Sequence, residues 1–437
     1  MTTPLLPIID GDAHVVEPFS LWDEELPKEF RPVARQRIVD ETGIEVLYHH
    51  GQPLDLEWTI GTLCTPGSAT IEGRLDLSLD DDVDPGVADP VRRLEVMNEQ
   101  GIAVSVLFPS CTLGLDDVPD IDFRWAYART YNSWIARFCA ADPVRLRWGA
   151  VLPLIDLDRA VDELERCIEL GATTVMLSPI PRSGPGAVPF ASPEREGLCR
   201  NLGHPELDPI WCRLVAADIP AVVHAVNPAS NALAIGWVFA NRVQWQMGQP
   251  WQMQLALLHM IEGGALDRNP DLRVGFFEGD VGWLPHWIGR MEETYDKFAL
   301  LSKHHRRRPL ETFRAQCWIS GEPADLGFSH TVELVGADRV LFASDWPHMD
   351  GAWPDPVATL RDRPDIDDAA KRAVFIDGPA TFFGIDVASL MAHLGPRWSL
   401  EAGVKDLGGM LPDGYNPAAG TLSPHGRAAA AKAGDVR

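Results

Sequence analysis

Basic residues are scarce in this chain of 437 residues. Lysine and arginine number 38 against 63 acidic residues, which gives a formal net charge of -25 at pH 7. Binding to nucleic acid or to an anionic membrane needs clustered cations, so this balance argues against both as partners. The one basic run, 304–308, is expected to cap a helix end or to lie solvated on the surface.

Paired cysteines and long apolar runs are also missing. The seven cysteines are odd in number and none has C-x-x-C spacing, which excludes a zinc knuckle and argues against a disulfide framework. They are typical of reduced core thiols in a cytosolic protein. No apolar run approaches the length of a membrane span, and the N-terminal MTTPLLPIIDGD lacks the basic region of a signal peptide. We therefore expect a soluble, cytoplasmic protein.

Short β-rich apolar runs alternate with longer amphipathic segments. Segment 159–170, for example, has apolar residues at helical spacing and ends at a glycine. Eight strands separated by helices predict an α/β fold of the (β/α)8 TIM barrel type. An open doubly wound sheet is the competing fold, weakened because no G-x-G-x-x-G motif follows the first strand. The predicted strands are 5–9, 103–109, 146–154, 173–177, 220–224, 272–278, 317–320 and 340–344.

Two regions fall outside this alternation. Residues 15–90 separate the first two strands and contain a possible hairpin, IEVLYHHGQPLDLEW, and an acidic run, LSLDDDVDPG. We predict that this insertion is a lid over the barrel mouth or a dimer arm, and we expect a homodimer. Residues 1–400 are then one barrel domain, and 401–437, rich in glycine, alanine and proline, are predicted to be an extended, partly disordered tail.

Polar residues follow four of the predicted strands at their carboxyl ends, where the catalytic groups of such a barrel lie. The first strand leads into Asp12 and His14, the fifth ends in His224, and the sixth and eighth lead to Glu278 and Asp345. Alternation along a strand puts Asp12 and His14 on one face. Taken singly, an Asp-x-His can simply cap the next segment, and a lone strand histidine is more often a core group. Together these imidazoles and carboxylates predict a catalytic site for a divalent metal.

Further polar residues lie near these positions. Glu17 is either a further ligand, a group that orients a ligand, or a solvated turn residue before a proline. His348, in DWPH, is predicted to contact substrate or to orient a ligand. Asp280 and Glu322 are predicted to be structural.

Tryptophan is abundant, with 15 residues against five tyrosines, and four tryptophans lie close to the polar motifs. They predict either core and interface packing or an aromatic pocket for an apolar or ring-bearing substrate. The four are Trp283, Trp287, Trp346 and Trp353, and the candidate substrate pocket comprises Glu17, Trp283, His286 and Trp346.

Five segments give the chain a resemblance to a known family. They are IIDGDAHVVEP, RLEVMNEQGIAVSVLFPS, DPIWCRLVAADIPAVVHAV, DRNPDLRVGFFEGDVGWLPHWIGRMEE and VLFASDWPHMDG, and matching segments run to about residue 385. The chain resembles the amidohydrolase-related family that includes aminocarboxymuconate semialdehyde decarboxylase. The resemblance implies a barrel with one divalent metal, often zinc or manganese, bound by Asp12, His14, His224 and Asp345.

Two positions depart from the decarboxylase pattern. Asp12 replaces the first histidine of an H-x-H pair, and Glu278 stands where the decarboxylase has a catalytic histidine. The added carboxylates shift the expected metal from zinc toward manganese or iron(II). We predict that Glu278 either moves the proton or binds the ion, with Asp345 and His348 as further catalytic residues.

Three functions fit this pattern. A metal-dependent hydrolase or decarboxylase on a small carboxylate- or carbonyl-bearing substrate comes first, with Glu278 moving the proton. Decarboxylation also needs a cation for the carboxylate, for which Arg182 and His286 are candidates. An iron-dependent oxygenase comes second, because the site has enough ligands for a second ion. A non-catalytic binding protein comes third, although decay would be expected to erase the ligands.

Overall fold

The computed structural model describes residues 5–41, 44–49, 52–53, 59–68, 76–113, 115, 120–181, 201–226, 242–298, 307–352, 355–407, 415–416 and 421–422. Its strands, in chain order, are β1 (Ile8–Val15), β2 (Gln36–Val39), β3 (Glu45–His49), β4 (Gln52–Pro53), β5 (Ile102–Pro109), β6 (Leu146–Val151), β7 (Thr174–Leu177), β8 (Ala221–His224), β9 (Val274–Phe277), β10 (Cys317–Gly321), β11 (Val340–Phe342), β12 (Tyr415–Asn416) and β13 (Thr421–Leu422).

Eight of these strands form one parallel sheet in the order β1-β5-β6-β7-β8-β9-β10-β11. The eight predicted strands are therefore present, and the sheet curls into a nearly closed barrel. Two hydrogen bonds bridge β1 and the segment after β11: the Asp345 amide donates to the Asp12 carbonyl at 3.0 Å, and the His14 amide donates to the Trp346 carbonyl at 2.7 Å. We call this junction the seam.

A side chain on β1 adds to the seam. The Asp10 carboxylate accepts hydrogen bonds from the amide and the hydroxyl of Ser344. Asp10 is buried, and burial raises its pKa to about 7 against the opposing effect of the Ser344 hydrogen bonds. Asp10 therefore joins the first and last strands of the barrel.

Helices cover the outside of the barrel. In α5 the Asp156 side chain accepts from the Arg159 amide and so caps the first turn, while Ala160 and Leu164 face the core. Gly171, with φ 93°, follows the helix in the left-handed region. The α-helices are α1 (Phe19–Glu24), α2 (Ile60–Leu63), α3 (Pro90–Gln100), α4 (Ile121–Cys139), α5 (Leu157–Glu169), α6 (Asp208–Ala217), α7 (Arg242–Glu262), α8 (Ala265–Arg268), α9 (Leu284–Phe298), α10 (Pro309–Gln316), α11 (Phe328–Val335), α12 (Pro356–Arg361), α13 (Asp368–Arg372), α14 (Gly378–Phe382) and α15 (Val387–Leu394), with a π-helical turn at Ala373–Asp377.

The insertion between β1 and β5 packs against the barrel mouth. Its strands β2, β3 and β4 form an antiparallel sheet, and β3 with β4 is the described part of the predicted hairpin. Leu47, Ile60 and Val83 join Val16 and Trp346 in a small apolar cluster separate from the main core. This cluster ties the insertion to the segment after β11, and its role as a lid or dimer arm stays a prediction.

The C-terminal region is described only in part. The pair β12 and β13 is antiparallel, and the predicted disorder of the tail falls mostly outside the described residues. Among the described helices, none alone is long and apolar enough to cross a membrane. One bent pair, Asp368–Phe382 with Val387–Leu394, would meet the requirement by length and composition only.

A glycine on β6 makes room for an aromatic ring at the centre of the barrel. A Cβ atom on Gly149 would lie 2.6 Å from a ring carbon of Phe108. The Phe108 ring centroid is 5.5 Å from that of His224 and 6.2 Å from that of His14. Phe108, which packs against Gly149, therefore also lies next to the rings of the two histidines.

Candidate metal centre

Three side chains from β1 and β8 bring buried donor atoms together. Asp12 Oδ1 is 3.7 Å from His14 Nε2 and 3.5 Å from His224 Nε2. All three residues are buried, and none of these three atoms has a hydrogen-bond partner among the described residues. A buried polar atom without a partner is costly, and a cation between these atoms would remove that cost. The donor set therefore fits a metal ion.

Neighbouring groups orient these donors. His14 Nδ1 is 2.9 Å from the Pro109 carbonyl, and His224 Nδ1 is 2.7 Å from the Ala225 carbonyl. A carbonyl only accepts, so each Nδ1 carries the proton and each Nε2 is left with its lone pair. The Ser320 hydroxyl donates to Asp12 Oδ2 at 2.9 Å, which leaves Oδ1 facing the histidines. Such outer partners are typical of metal sites.

A second group of donors shares His14. Asp345 Oδ1 lies 3.2 Å from His14 Nε2, and Glu278 Oε2 lies 4.0 Å from His224 Nε2. Donor atoms of His14, Glu278, Asp345 and His348 all lie within 4.8 Å of one another. The structure thus brings together all of the residues predicted to bind metal. Their binding of an ion stays a prediction.

The backbone around these residues is irregular. Between Asp10 and Ala13, β1 advances three residues while β5 advances two, so β1 contains a bulge. Glu278 and Asp345 have φ values of 62° and 52°, in the left-handed region that non-glycine residues rarely adopt. Strained conformations of this kind cluster at functional sites.

The mutual burial of these groups shifts their protonation. Burial, together with the charges of His348 and His224, holds the pKa of His14 well below its usual value. Burial also lowers the pKa of His224, but its contact with Asp12 and the charges of Asp12 and Glu278 outweigh that effect and raise it. Burial and the charge of Asp345 raise the pKa of Glu278 well above its usual value. A bound cation would favour neutral imidazoles and charged carboxylates here.

Comparison with known proteins assigns the fold. Residues 9–385 match the family model described as Amidohydrolase. The chain belongs to the amidohydrolase family. This confirms the family predicted from the five sequence segments, and the eight-stranded parallel barrel confirms the predicted fold.

Curated relatives of this amidohydrolase include decarboxylases. The gamma-resorcylate decarboxylase of Rhizobium sp. (strain MTP-10005) is 27% identical over 264 residues, which are 58% of this chain and 76% of the relative. The 2-amino-3-carboxymuconate-6-semialdehyde decarboxylase of Dictyostelium discoideum is 24% identical over 279 residues, 61% of this chain and 68% of the relative. These relatives give no support to the oxygenase or to the non-catalytic alternative.

Solved amidohydrolase structures share the fold. An amidohydrolase from Mycobacterium avium subsp. paratuberculosis K-10 superposes with a TM-score of 0.72 at 22% identity, covering 87% of this chain and 99% of that one. A dihydroxybenzoic acid decarboxylase from Polaromonas sp. JS666, with bound manganese and the inhibitor 2-nitroresorcinol, superposes with a TM-score of 0.59 at 20% identity, covering 89% and 99%.

Glu17 lies beside the metal centre of this amidohydrolase rather than in it. Its buried carboxylate accepts hydrogen bonds from the amides of Ser110, Cys111 and Thr112 and from the Thr112 hydroxyl. Both oxygens are therefore engaged by the loop after β5. Glu17 therefore holds the loop after β5 in place.

The other pocket candidates are spread around the mouth. Trp283 is mostly buried and donates its indole N–H to the Asp280 carbonyl. Trp346 lies in the seam, with the Arg93 guanidinium 4.2 Å from its ring centroid. His286 is exposed on α9. Two further candidates, Arg182 and Trp353, lie outside the described residues, as do residues 304–306 of the basic run.

The two acidic residues predicted to be structural lie near Glu278. Asp280 is exposed, two residues after Glu278. Burial and the charges of Asp280 and Asp345 raise the pKa of Glu322 well above its usual value. Two further acidic groups therefore lie next to the candidate metal centre.

A mainly apolar recess opens at the carboxyl ends of β6, β7 and β8. Val226 follows His224, the last residue of β8, by two positions, so the strand that supplies a metal-binding candidate leads into the recess. The sequence patterns missed this recess because its residues lie on four separate segments. The lining residues are Thr112, Leu115, Val151, Leu152, Pro153, Met176, Ser178 and Val226.

Proposed function

We propose that this protein is a metal-dependent decarboxylase of a small aromatic carboxylate. One observation carries the proposal: buried donor atoms of Asp12, His14 and His224 converge and have no hydrogen-bond partners in the described part of the chain. The decarboxylase activity of the curated relatives supports the reaction type. The 2,6-dihydroxybenzoate bound in one solved decarboxylase supports an aromatic carboxylate as the substrate.

His14, His224 and Asp345 would hold the ion, with Asp12 beside them. When bound, the metal supplies a positive charge that fixes the substrate carboxylate and polarises a neighbouring oxygen. Two imidazoles with several carboxylates favour manganese or iron(II) over zinc. The manganese in the Polaromonas decarboxylase supports manganese as the first choice.

Decarboxylation breaks the bond between the carboxyl carbon and the ring, and the ring carbon must then receive a proton. Glu278 is suited to deliver it, because its carboxyl group adjoins the donor cluster. Gln249 Nε2 donates to Glu278 Oε1 at 3.1 Å, which leaves Oε2 on the side of His224. Glu278 would therefore hold and release the proton at Oε2.

The recess would contact one edge of the substrate ring. Leu152, Met176 and Val226 offer apolar contacts, while Thr112 and Ser178 add hydroxyl groups for ring substituents. A ring against Val226 would have its carboxylate on the side of His224, because Val226 follows His224 by two residues.

The test measures metal and product together. Purified protein is analysed for metal, stripped with a chelator and reloaded with manganese, iron(II) or zinc. Release of CO2 is then measured from a panel of hydroxylated benzoates and from their amides and methyl esters as hydrolysis controls. We expect CO2 from the free acids with manganese. Hydrolysis of the amides or esters with no CO2 from the acids would contradict the proposal.

Three further expectations accompany it. We expect a homodimer, which analytical ultracentrifugation would test. We also expect a cytoplasmic location, which fractionation of the source cells would test. The same metal analysis gives the number of ions per chain. We expect one, because Nε2 is the only ring nitrogen that His14 has available for an ion.

A further inference from the structure

A hydrogen-bonded chain of three side chains runs from the loop after β5 to the metal centre. Ser110 Oγ is 2.9 Å from His348 Nε2, and His348 Nδ1 is 2.7 Å from Asp345 Oδ1. All three residues are buried. The carboxylate only accepts, so Nδ1 carries the proton and Nε2 of the neutral ring accepts from the serine hydroxyl.

This order of serine, imidazole and carboxylate is that of a nucleophilic triad. A nucleophilic serine also needs N–H groups free to stabilise an oxyanion. Here the amides of Ser110, Cys111 and Thr112 all donate to Glu17. The nearest oxyanion donors are therefore already used, which argues against a nucleophilic role for the serine.

The same hydrogen bonds explain how the serine is held. Glu17 is fully buried, and its two oxygens fix three consecutive residues of the loop. The loop therefore presents Ser110 to His348 in one orientation. The His348 ring lies over His14, with 4.0 Å between the ring centroids, so its plane also affects the packing of the centre.

We propose that Ser110 is a positioning residue of the metal centre, held by Glu17. It fixes the ring of His348, and His348 in turn orients the Asp345 carboxylate toward His14. Asp345 Oδ1 lies 3.2 Å from His14 Nε2, at the contact that the ion would occupy or adjoin. The inference rests on the proposed metal centre but not on the identity of the substrate.

The experiment measures manganese affinity in full-length protein, by titration followed by the electron paramagnetic resonance of the free ion. Ser110→Ala should weaken binding by about 10-fold, as is typical when an outer partner of a ligand is lost. Ser110→Thr, which keeps the hydroxyl, should restore most of the affinity. Ser105→Ala is the matched control, because Ser105 is buried on β5 and no described residue hydrogen-bonds to its hydroxyl.

A double-mutant cycle tests whether Ser110 acts on the metal centre through His348. In a His348→Ala background, Ser110→Ala should cause no further loss of affinity, because the serine acts through the imidazole. An additional loss as large as in the wild-type background would overturn the inference. So would an unchanged affinity in Ser110→Ala, or covalent labelling of Ser110 by a fluorophosphonate.

A failure of the positioning role can be distinguished from a failure of the proposed function. If manganese binds and responds to these variants while no aromatic acid is decarboxylated, the positioning role stands and the proposed reaction is wrong. If wild-type protein does not bind a divalent metal, both are wrong.

Discussion

Replacing Glu278 by glutamine should separate proton transfer from metal binding. Gln249 donates to Glu278 Oε1, and a glutamine at 278 keeps an oxygen that can accept this bond. The side chain also keeps its length and planar end, so the packing around the left-handed backbone at this position need not change. What is lost is the ability to carry a proton.

The expected loss of turnover follows from the role of Glu278 as the proton carrier. A positioned general acid or base contributes about 100- to 10,000-fold to a rate. The Glu278 side chain is 12% exposed, which gives water little access to replace it. We therefore expect turnover to fall by at least ~100-fold, equivalent to about 2.7 kcal/mol in the barrier. The manganese content should stay at the wild-type level, because His14, His224 and Asp345 are unchanged.

The assay combines steady-state CO2 release with metal analysis on the same sample. Glu163→Gln is the matched control, since it makes the same change at a buried carboxylate between α4 and α5, away from the metal centre. A Glu278→Gln enzyme with normal metal and normal turnover would refute the reasoning and leave Glu278 as a structural residue. Loss of metal along with turnover would make it a ligand instead of the proton carrier.

Three further predictions concern the metal, pH and packing. His14→Ala should lower manganese affinity by at least ~10-fold, measured by equilibrium dialysis, and wild-type affinity would contradict its role as ligand. Burial raises the pKa of Glu163, but hydrogen bonds from Arg166 and a neighbouring amide outweigh this and leave it below the ordinary 4.5. Its ionised form therefore stabilises the fold above that pH. The stability difference between wild type and Glu163→Gln in urea should shrink as pH falls through the lowered pKa, and an equal difference at neutral and acidic pH would count against it. Gly149→Ala should destabilise the barrel by ~1–3 kcal/mol, because its Cβ would meet Phe108, and an unchanged urea midpoint would show that the ring moves freely.

The barrel was predictable because its strands are locally encoded. Each of the eight apolar runs contains or overlaps an observed strand, and the ends differ by a few residues. The first strand differs most: it was predicted at 5–9 and is observed at Ile8–Val15. Its polar part, with Asp12 and His14, carries no apolar signal, and a bulge is set by pairing with β5 rather than by local sequence.

The principal donors were predictable for a related reason. In a parallel barrel the carboxyl ends of all strands meet at one face. A polar residue directly after an apolar run is therefore predicted to lie at that face. Apart from His348, which the DWPH motif indicated, their outer partners carry no such signal. Ser110 and His348 are 238 residues apart, and Ser320 and Asp12 are 308 apart. Ser320 at least ends a predicted strand, whereas Gln249 sits within a helix and has no distinguishing pattern.

The seam has a consequence for biosynthesis. Asp12 and His14 leave the ribosome more than 300 residues before Asp345, the partner of Asp12 across the seam, is made. During most of translation the first strand therefore has β5 on one side and no neighbour on the other. The donor set is complete only when Asp345, after the last strand, is in place, so a ribosome-bound chain that stops before β11 should bind the metal more weakly than the finished chain.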